Sequence, residues 1–247
     1  MLAGFVMVYS VQELKDFYGS RAGRLVKRML SAMIYDLWPD VKPFFLCGYG
    51  YTPPFIRRHQ KEAQRVCFFM PERNNVHFWP ENKPGQVCLT SDKLLPLETE
   101  SVDRLVVVHG LEYAEDPDML MQEFWRVLKS NGRILVIVPN RLGLWARAEW
   151  TPFGHGTPYT TGQLLNTLKN NLFVVENSGK ALFMPPFKSF IALRTVYFFE
   201  SFGRFVFSGL AGVHLVEASK QVYAGKTKKV LDTKGGRRYA LVEPVSS

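Results

Sequence analysis

Several residues in this 247-residue chain have types and spacings that could do chemistry. Gly48-Tyr49-Gly50 closes a short apolar run. Paired glycines there would let the backbone approach a ligand closely, and the start of a following helix offers unbonded N–H groups. A tight structural turn would use the same residues. His109 and His155 carry imidazoles that can take up a proton near neutral pH, which makes both candidates for a general base. His109 stands with Gly110 at the end of a β-branched run, where a histidine could also simply cap its own loop. His155 lies within Thr151-Pro-Phe-Gly-His-Gly-Thr-Pro158, a Gly/Pro-rich loop able to close over a ligand. Arg141, Arg147 and Tyr159 could meet an anionic substrate from the same rim.

Positioning these residues requires a scaffold, and hydrophobic periodicity predicts one. Apolar residues recur at helical spacing from Val11 to Leu37, broken around Gly19 and Gly23. Short apolar runs at Pro43 to Cys47, Val66 to Met70, Val87 to Thr90, Asp103 to His109 and Arg133 to Val138 predict five strands. A helix reaching about Gln64 follows the first. Pro117 to Lys129 predicts an amphipathic helix, opened by proline and an early acid and closed by Asn131-Gly132. A further helix is expected over Pro158 to Asn170, and strands over Leu172 to Glu176 and Val213 to Tyr223. Short apolar strands alternating with helices call for a parallel sheet covered on both faces, hence an α/β class.

Composition narrows the function classes. With 47% hydrophobic and 21% charged residues the chain is globular, with one core as the default. Residues 1–224 read as one domain, with N-terminal helices over 10–38, an aromatic insertion over 184–212, and a flexible basic tail over 225–247. The net charge of +9 invites a polyanion partner. Lys226, Lys228, Lys229, Lys234, Arg237 and Arg238 lie in that tail, however, which disfavours a dedicated nucleic-acid groove. Cys47, Cys67 and Cys88 form no CxxC pair and suggest neither disulfides nor zinc. With no secretory signal and no apolar run long enough for a membrane span, a cytoplasmic protein is expected. A homodimer is compatible with all of this.

The stretch from Ser91 to Val138 resembles the core of class I S-adenosylmethionine-dependent methyltransferases. The matching features are the Leu95-Pro96-Leu97 turn, Asp103 opening a strand that ends at His109, Glu123, Arg126, Val127, Leu128 and Lys129 on a helix, and the Gly132 turn. Glu123 and Arg126 lie three apart on one helix face, where they can pair. Gly132 is expected in the left-handed helix-end conformation. A wider resemblance to a bacterial branch rests on Gly48-x-Gly50-Tyr51-x-x-Pro54, the Trp145 to Gly156 segment and the Val216 to Tyr223 strand. It implies a Rossmann-like fold with a mostly parallel sheet of about seven strands flanked by helices, and S-adenosylmethionine as cofactor. It further implies Gly48, Tyr49, Gly50, Glu72, Asp92, His109 and Gly110 as cofactor contacts, with the loop carrying Ser91 and Asp92 near the adenine and His109 at the methyl-transfer site.

The pattern is not followed throughout. Leu46 stands where the superfamily places an acid, Thr52 where it places a third glycine, and Phe69-Met70-Pro71 where a carboxylate normally holds the ribose; Glu72 is the nearest replacement. The leading expectation is a methyltransferase acting on a small or hydrophobic molecule. A catalytically inactive methyltransferase-like binding or assembly protein is the alternative, and an RNA methyltransferase, resting on net charge alone, is the third.

Overall fold

A computed structural model describes residues 10–72, 87–186 and 210–221. Its twelve regular elements are the helices α1 (Val11–Gly19), α2 (Arg21–Leu37), α3 (Arg57–Glu62), α4 (Pro117–Val127) and α5 (Thr161–Asn170), and the strands β1 (Phe45–Gly50), β2 (Arg65–Pro71), β3 (Val87–Thr90), β4 (Val102–Val108), β5 (Leu128–Pro139), β6 (Phe173–Ala181) and β7 (Val213–Lys220). The strands form a seven-stranded sheet in the order β3-β2-β1-β4-β5-β7-β6. The pairings among β1 to β5 are parallel, and β7 runs antiparallel between β5 and β6. The predicted mostly parallel sheet of about seven strands is therefore present. Most of the 184–212 insertion and all of the 225–247 tail lie outside the described residues. No helix among those described is long and apolar enough to cross a membrane.

Both faces of the sheet are covered, which is why the central strands read as unbroken apolar runs. Every residue of β1 and of β7 is buried. Alternation along the strands splits the core in two. Leu46, Phe68, Val106 and Leu135 pack under α1 and α2 through Leu14, Phe17, Val26, Leu30 and Ile34. Cys47, Tyr49, Val107 and Val136 pack under α4 and α5 through Leu120, Phe124, Leu164 and Leu168.

Local chemistry sets the boundaries. Ser10 and Glu13 form a capping box for α1, and Ser20 caps α2. The two helices break at Ser20, and Gly23 allows the tight bend because a Cβ there would lie 1.9 Å from the Phe17 carbonyl oxygen. Four expectations need correction. The helix predicted to Lys129 stops at Val127, because Leu128 already pairs with Val102 on β4. The left-handed residue of that turn is Asn131, with φ 63°, and not Gly132. Gly132 serves instead to relieve crowding, since a Cβ would sit 2.8 Å from the Lys129 carbonyl oxygen. The helix predicted from Pro158 begins at Thr161, capped by Thr160, because Tyr159 bridges Asn140 in extended form. β6 also runs past its predicted end at Glu176; its polar middle is exposed because it forms the sheet edge.

Two polar networks lock the layers. Glu123 accepts the Leu95 N–H at 2.7 Å and pairs with Arg126 at 2.6 Å, while Arg126 donates to the carbonyls of Leu95 and Leu97. The Leu-Pro-Leu turn is thus tied to α4. On the opposite face Glu217, 2% exposed, accepts from Trp38 Nε1 (2.8 Å), Arg133 Nη1 (2.8 Å) and Asn177 Nδ2 (2.7 Å). Burial pushes the Glu217 carboxyl up, but these three donors outweigh it and hold it below its ordinary range. His214 on β7 is 2% exposed, and burial, with Lys180 nearby, lowers it to about 4 against the pull of the Tyr159 backbone.

Glu217→Ala leaves the buried Trp38 N–H without its acceptor and is expected to cost about 2–3 kcal/mol in urea unfolding at pH 7. Because the folded-state carboxyl titrates below its unfolded value, that difference should narrow as the pH falls through the carboxylate range. His214 acts in a higher window. Below about pH 6.5 the unfolded chain binds a proton that the folded chain refuses until about pH 4, so stability should fall by about 1.4 kcal/mol per pH unit across that interval. His214→Phe should flatten that slope, as read from urea midpoints at each pH.

Candidate functional site

Strand order reverses between β1 and β4, and in an open parallel sheet ligands bind outside the carboxyl ends of the strands at that point. Gly48, Tyr49 and Gly50 end one of these strands, and His109 and Gly110 follow the other, so the fold brings these five predicted residues together. The three glycines meet protein atoms at short range. A Cβ on Gly50, whose φ is +79°, would lie 2.3 Å from the Val108 carbonyl oxygen; one on Gly48 would lie 2.1 Å from Thr52 Oγ1; one on Gly110 would lie 2.8 Å from the Tyr49 ring. The loop amides are also used internally, Tyr51 N bonding Val108 O at 2.8 Å and Thr52 N bonding Gly50 O at 3.0 Å. The next helix, α3, starts only at Arg57, so its N-terminus does not abut the glycines.

Aromatic side chains occupy the space above the crevice. Tyr18 of α1 stacks on Tyr51 (centroids 5.6 Å apart), meets Phe55 edge-on at 5.1 Å, and places its hydroxyl 2.6 Å from His109 Nε2. The Phe153 ring lies 5.0 Å from the His109 ring. His109 is 1% exposed and has a left-handed backbone, φ 53°, sparsely populated for a side chain of that size. The short turn Leu111–Tyr113 brings Glu112 back so that Oε1 lies 3.1 Å from His109 Nδ1 and Oε2 accepts the Gly110 N–H at 3.1 Å. Sequence reading missed Tyr18 and Glu112 as site residues and named Tyr51 only within the Gly48-x-Gly50-Tyr51 motif. The spacing His109-x-x-Glu112 was a visible signal for Glu112, whereas nothing in the chain foretold that Tyr18 would cross to His109.

The open volume lies to one side, over the carboxyl ends of β2 and β3. A cleft of about 350 Å3 is lined by Glu72, Thr90, Ser91, Asp92, Lys93 and the turn before α4, including Glu115 and Asp116. Two predicted cofactor residues, Glu72 and Asp92, share it. Tyr49 connects it to the crevice by hydrogen bonding Asp92 through its phenol. Four carboxylates against one lysine make this cleft acidic despite the basic chain.

The predicted substrate residues do not join it. Arg147 lines a separate opening of about 720 Å3 with Leu144, Glu149, Trp150 and Pro186. Arg141 is exposed and held by Nε to the Pro158 carbonyl at 3.1 Å. Tyr159 is buried, and burial together with Glu112 and Asp118 raises its phenol to about 12. His155 bonds the Glu149 carbonyl through Nε2 at 2.6 Å. Its loop instead packs its backbone on Glu112, whose carbonyl accepts the Thr157 N–H at 2.7 Å.

Comparison with known proteins fits this geometry. The family model described as a methyltransferase domain matches residues 46–136, the interval from β1 to β5. No curated protein matches the chain. Among solved structures, an S-adenosylmethionine-dependent methyltransferase of Thermotoga maritima, described as a possible histamine N-methyltransferase, aligns with TM-score 0.60 at 17% identity, covering 85% of this chain and 96% of its own. One from Archaeoglobus fulgidus aligns at 0.57 and 18%, covering 83% and 97%. Geranyl diphosphate C-methyltransferase of Streptomyces coelicolor A3(2) aligns at 0.55 and 14%, covering 80% of each chain. The chain therefore has the fold of class I S-adenosylmethionine-dependent methyltransferases, and its residues 46–136 match the model of a methyltransferase domain.

Proposed function

We propose that this protein is an S-adenosylmethionine-dependent methyltransferase acting on a small or hydrophobic molecule, with the adenosine of the cofactor held over β2 and β3 by Glu72 and Asp92. The observation that carries this reading is the acidic cleft at the carboxyl ends of those strands. Carboxylates there can accept hydrogen bonds from ribose hydroxyls and from an exocyclic amine, and charge-assisted bonds of this kind are among the stronger ones. Fit differs along the cofactor. The adenosine end meets open volume and acceptors, whereas the end beside Gly48 and Gly50 meets Thr52, Phe68 and the Tyr18–Tyr51 pair. Thr52 Oγ1 is buried there and has no hydrogen-bond partner among the described residues, a polar atom that a ligand group could satisfy.

When bound, the cofactor supplies an electrophilic methyl group. The chain's part is alignment, exclusion of water and the handling of a proton. Phe153, Tyr18 and Phe55 provide the dry surround, and His109 is the base nearest the strand-order reversal. Proteins of this fold described as a possible histamine N-methyltransferase and a geranyl diphosphate C-methyltransferase accord with a small or hydrophobic acceptor. A cytoplasmic location and a homodimer belong to the same proposal, the first from the cysteine pattern. Arg141, Arg147 and Tyr159 remain candidate substrate contacts, and His155 a candidate base, only for an acceptor large enough to reach beyond the crevice.

A second reading is a methyltransferase-like binding or assembly protein without cofactor. It is favoured by the closed packing beside Gly48 and by Leu46 and Thr52 at two cofactor positions. The RNA methyltransferase reading gains nothing from the acidic cleft, and the basic tail lies outside the described residues.

Calorimetric titration with S-adenosylhomocysteine separates the two main readings. Binding is expected, and Glu72→Ala should weaken it by about tenfold or more while leaving the fold intact, because Glu72 is exposed. Silence at millimolar ligand would leave the binding-protein reading standing. Gly48 is unsuitable for this test, since any side chain there clashes with Thr52 and Phe68 before a ligand is considered.

A further inference from the structure

Tyr18, His109 and Glu112 come from two parts of the chain and meet in one line across the crevice. We infer that they form a proton relay in which the Tyr18 hydroxyl takes the proton of the methyl acceptor, so that the acceptor is a protic nucleophile, a hydroxyl or an amine. This inference rests on the methyltransferase reading.

Hydrogen-bond accounting fixes the direction. Glu112 Oε2 accepts the Gly110 N–H and Oε1 faces His109 Nδ1, so both oxygens serve as acceptors and Nδ1 carries the hydrogen. Nε2 then presents its lone pair to Tyr18 Oη, 2.6 Å away, and the phenol donates to it. The three residues are 3%, 1% and 1% exposed, so water does not compete for these positions. His109 also holds a left-handed backbone at φ 53°, a strained conformation that persists where the surroundings over-determine it. Carboxylate, imidazole and hydroxyl in line are the arrangement by which hydrolases move a proton off a hydroxyl. Here the hydroxyl is a phenol, at the strand-order reversal.

The step balances. The acceptor X–H loses its proton to Tyr18 Oη as the Tyr18 proton passes to His109 Nε2. X forms its bond to the methyl carbon, and the carbon–sulfur electron pair returns to sulfur. One proton remains on His109, facing Glu112. Tyr18 touches the acceptor, whereas His109 and Glu112 act through it as positioning residues. For an acceptor to reach Tyr18, the relay requires the Tyr51 ring stacked on it to move aside.

Nitrogen-15 NMR of the histidine-labelled full-length protein, with the His109 signal identified by its loss in His109→Gln, tests the relay without turnover. The wild type should show the Nδ1–H tautomer. Tyr18→Phe keeps the ring and the tautomer but should move the bare Nε2 resonance toward its unbonded position, and Glu112→Gln should shift population toward Nε2–H. An Nε2–H tautomer in the wild type, or an Nε2 signal indifferent to Tyr18→Phe, overturns the relay. If Glu112→Gln fails to fold, Tyr18→Phe still decides. The substrate class is read by transfer of labelled methyl to phenol and to n-butylamine as probes. Methylation of at least one is expected, reduced about 100-fold or more in Tyr18→Phe with S-adenosylhomocysteine affinity within about twofold of wild type. Binding of S-adenosylhomocysteine with transfer to neither probe sinks the class. Absence of that binding sinks the methyltransferase reading itself, a separate result.

Discussion

Gly50 has φ +79°, and a side chain there would strike the Val108 carbonyl oxygen, which itself accepts the Tyr51 N–H. This close backbone contact joins the ends of β1 and β4 at the place where the sheet reverses its strand order. Much of the site follows from it. It holds Tyr51 where Tyr18 can stack, and next to it His109 adopts the left-handed conformation in which its ring meets both Tyr18 and Glu112. Glycine is required because two backbones meet, a demand independent of any ligand.

The same contact divides the candidate site into two chemically different parts. Over β1 and β4 the surround is aromatic and closed, with a polar line from Tyr18 to Glu112 running through it. Over β2 and β3 it is open and acidic, and Tyr49 joins the two by reaching Asp92. A molecule with an adenosine at one end and a reactive methyl at the other matches such a division. The basic excess of the sequence is unrelated to this surface, which carries Glu72, Asp92, Glu115 and Asp116.

Much of the scaffold was legible because its causes are local. The helix from Pro117 announced itself through proline, an early acid and apolar spacing, and the strands through β-branched runs. Misplaced boundaries had non-local causes. Leu128 leaves its helix because Val102 offers a strand partner, and Tyr159 stays extended because Asn140 does. The candidate site was legible in part. Gly48, Gly50, His109 and Gly110 do meet at the reversal, and Glu72 and Asp92 do share a cleft. Arg147 faces another opening and His155 bonds the Glu149 carbonyl, since loop composition says nothing about which rim a loop follows.

By itself the sequence determined the alternation of helices and strands, and through the Ser91 to Val138 pattern the class of fold, because both are written in short-range periodicity and spacing. Only the tertiary structure decided what fills the space beside the glycines. Tyr18 and His109 stand ninety-one positions apart, and the bond between them exists because α1 packs across the sheet onto the end of β4. A contact of that sequence separation leaves no local trace in residue order, since it depends on where two surfaces come to rest against each other.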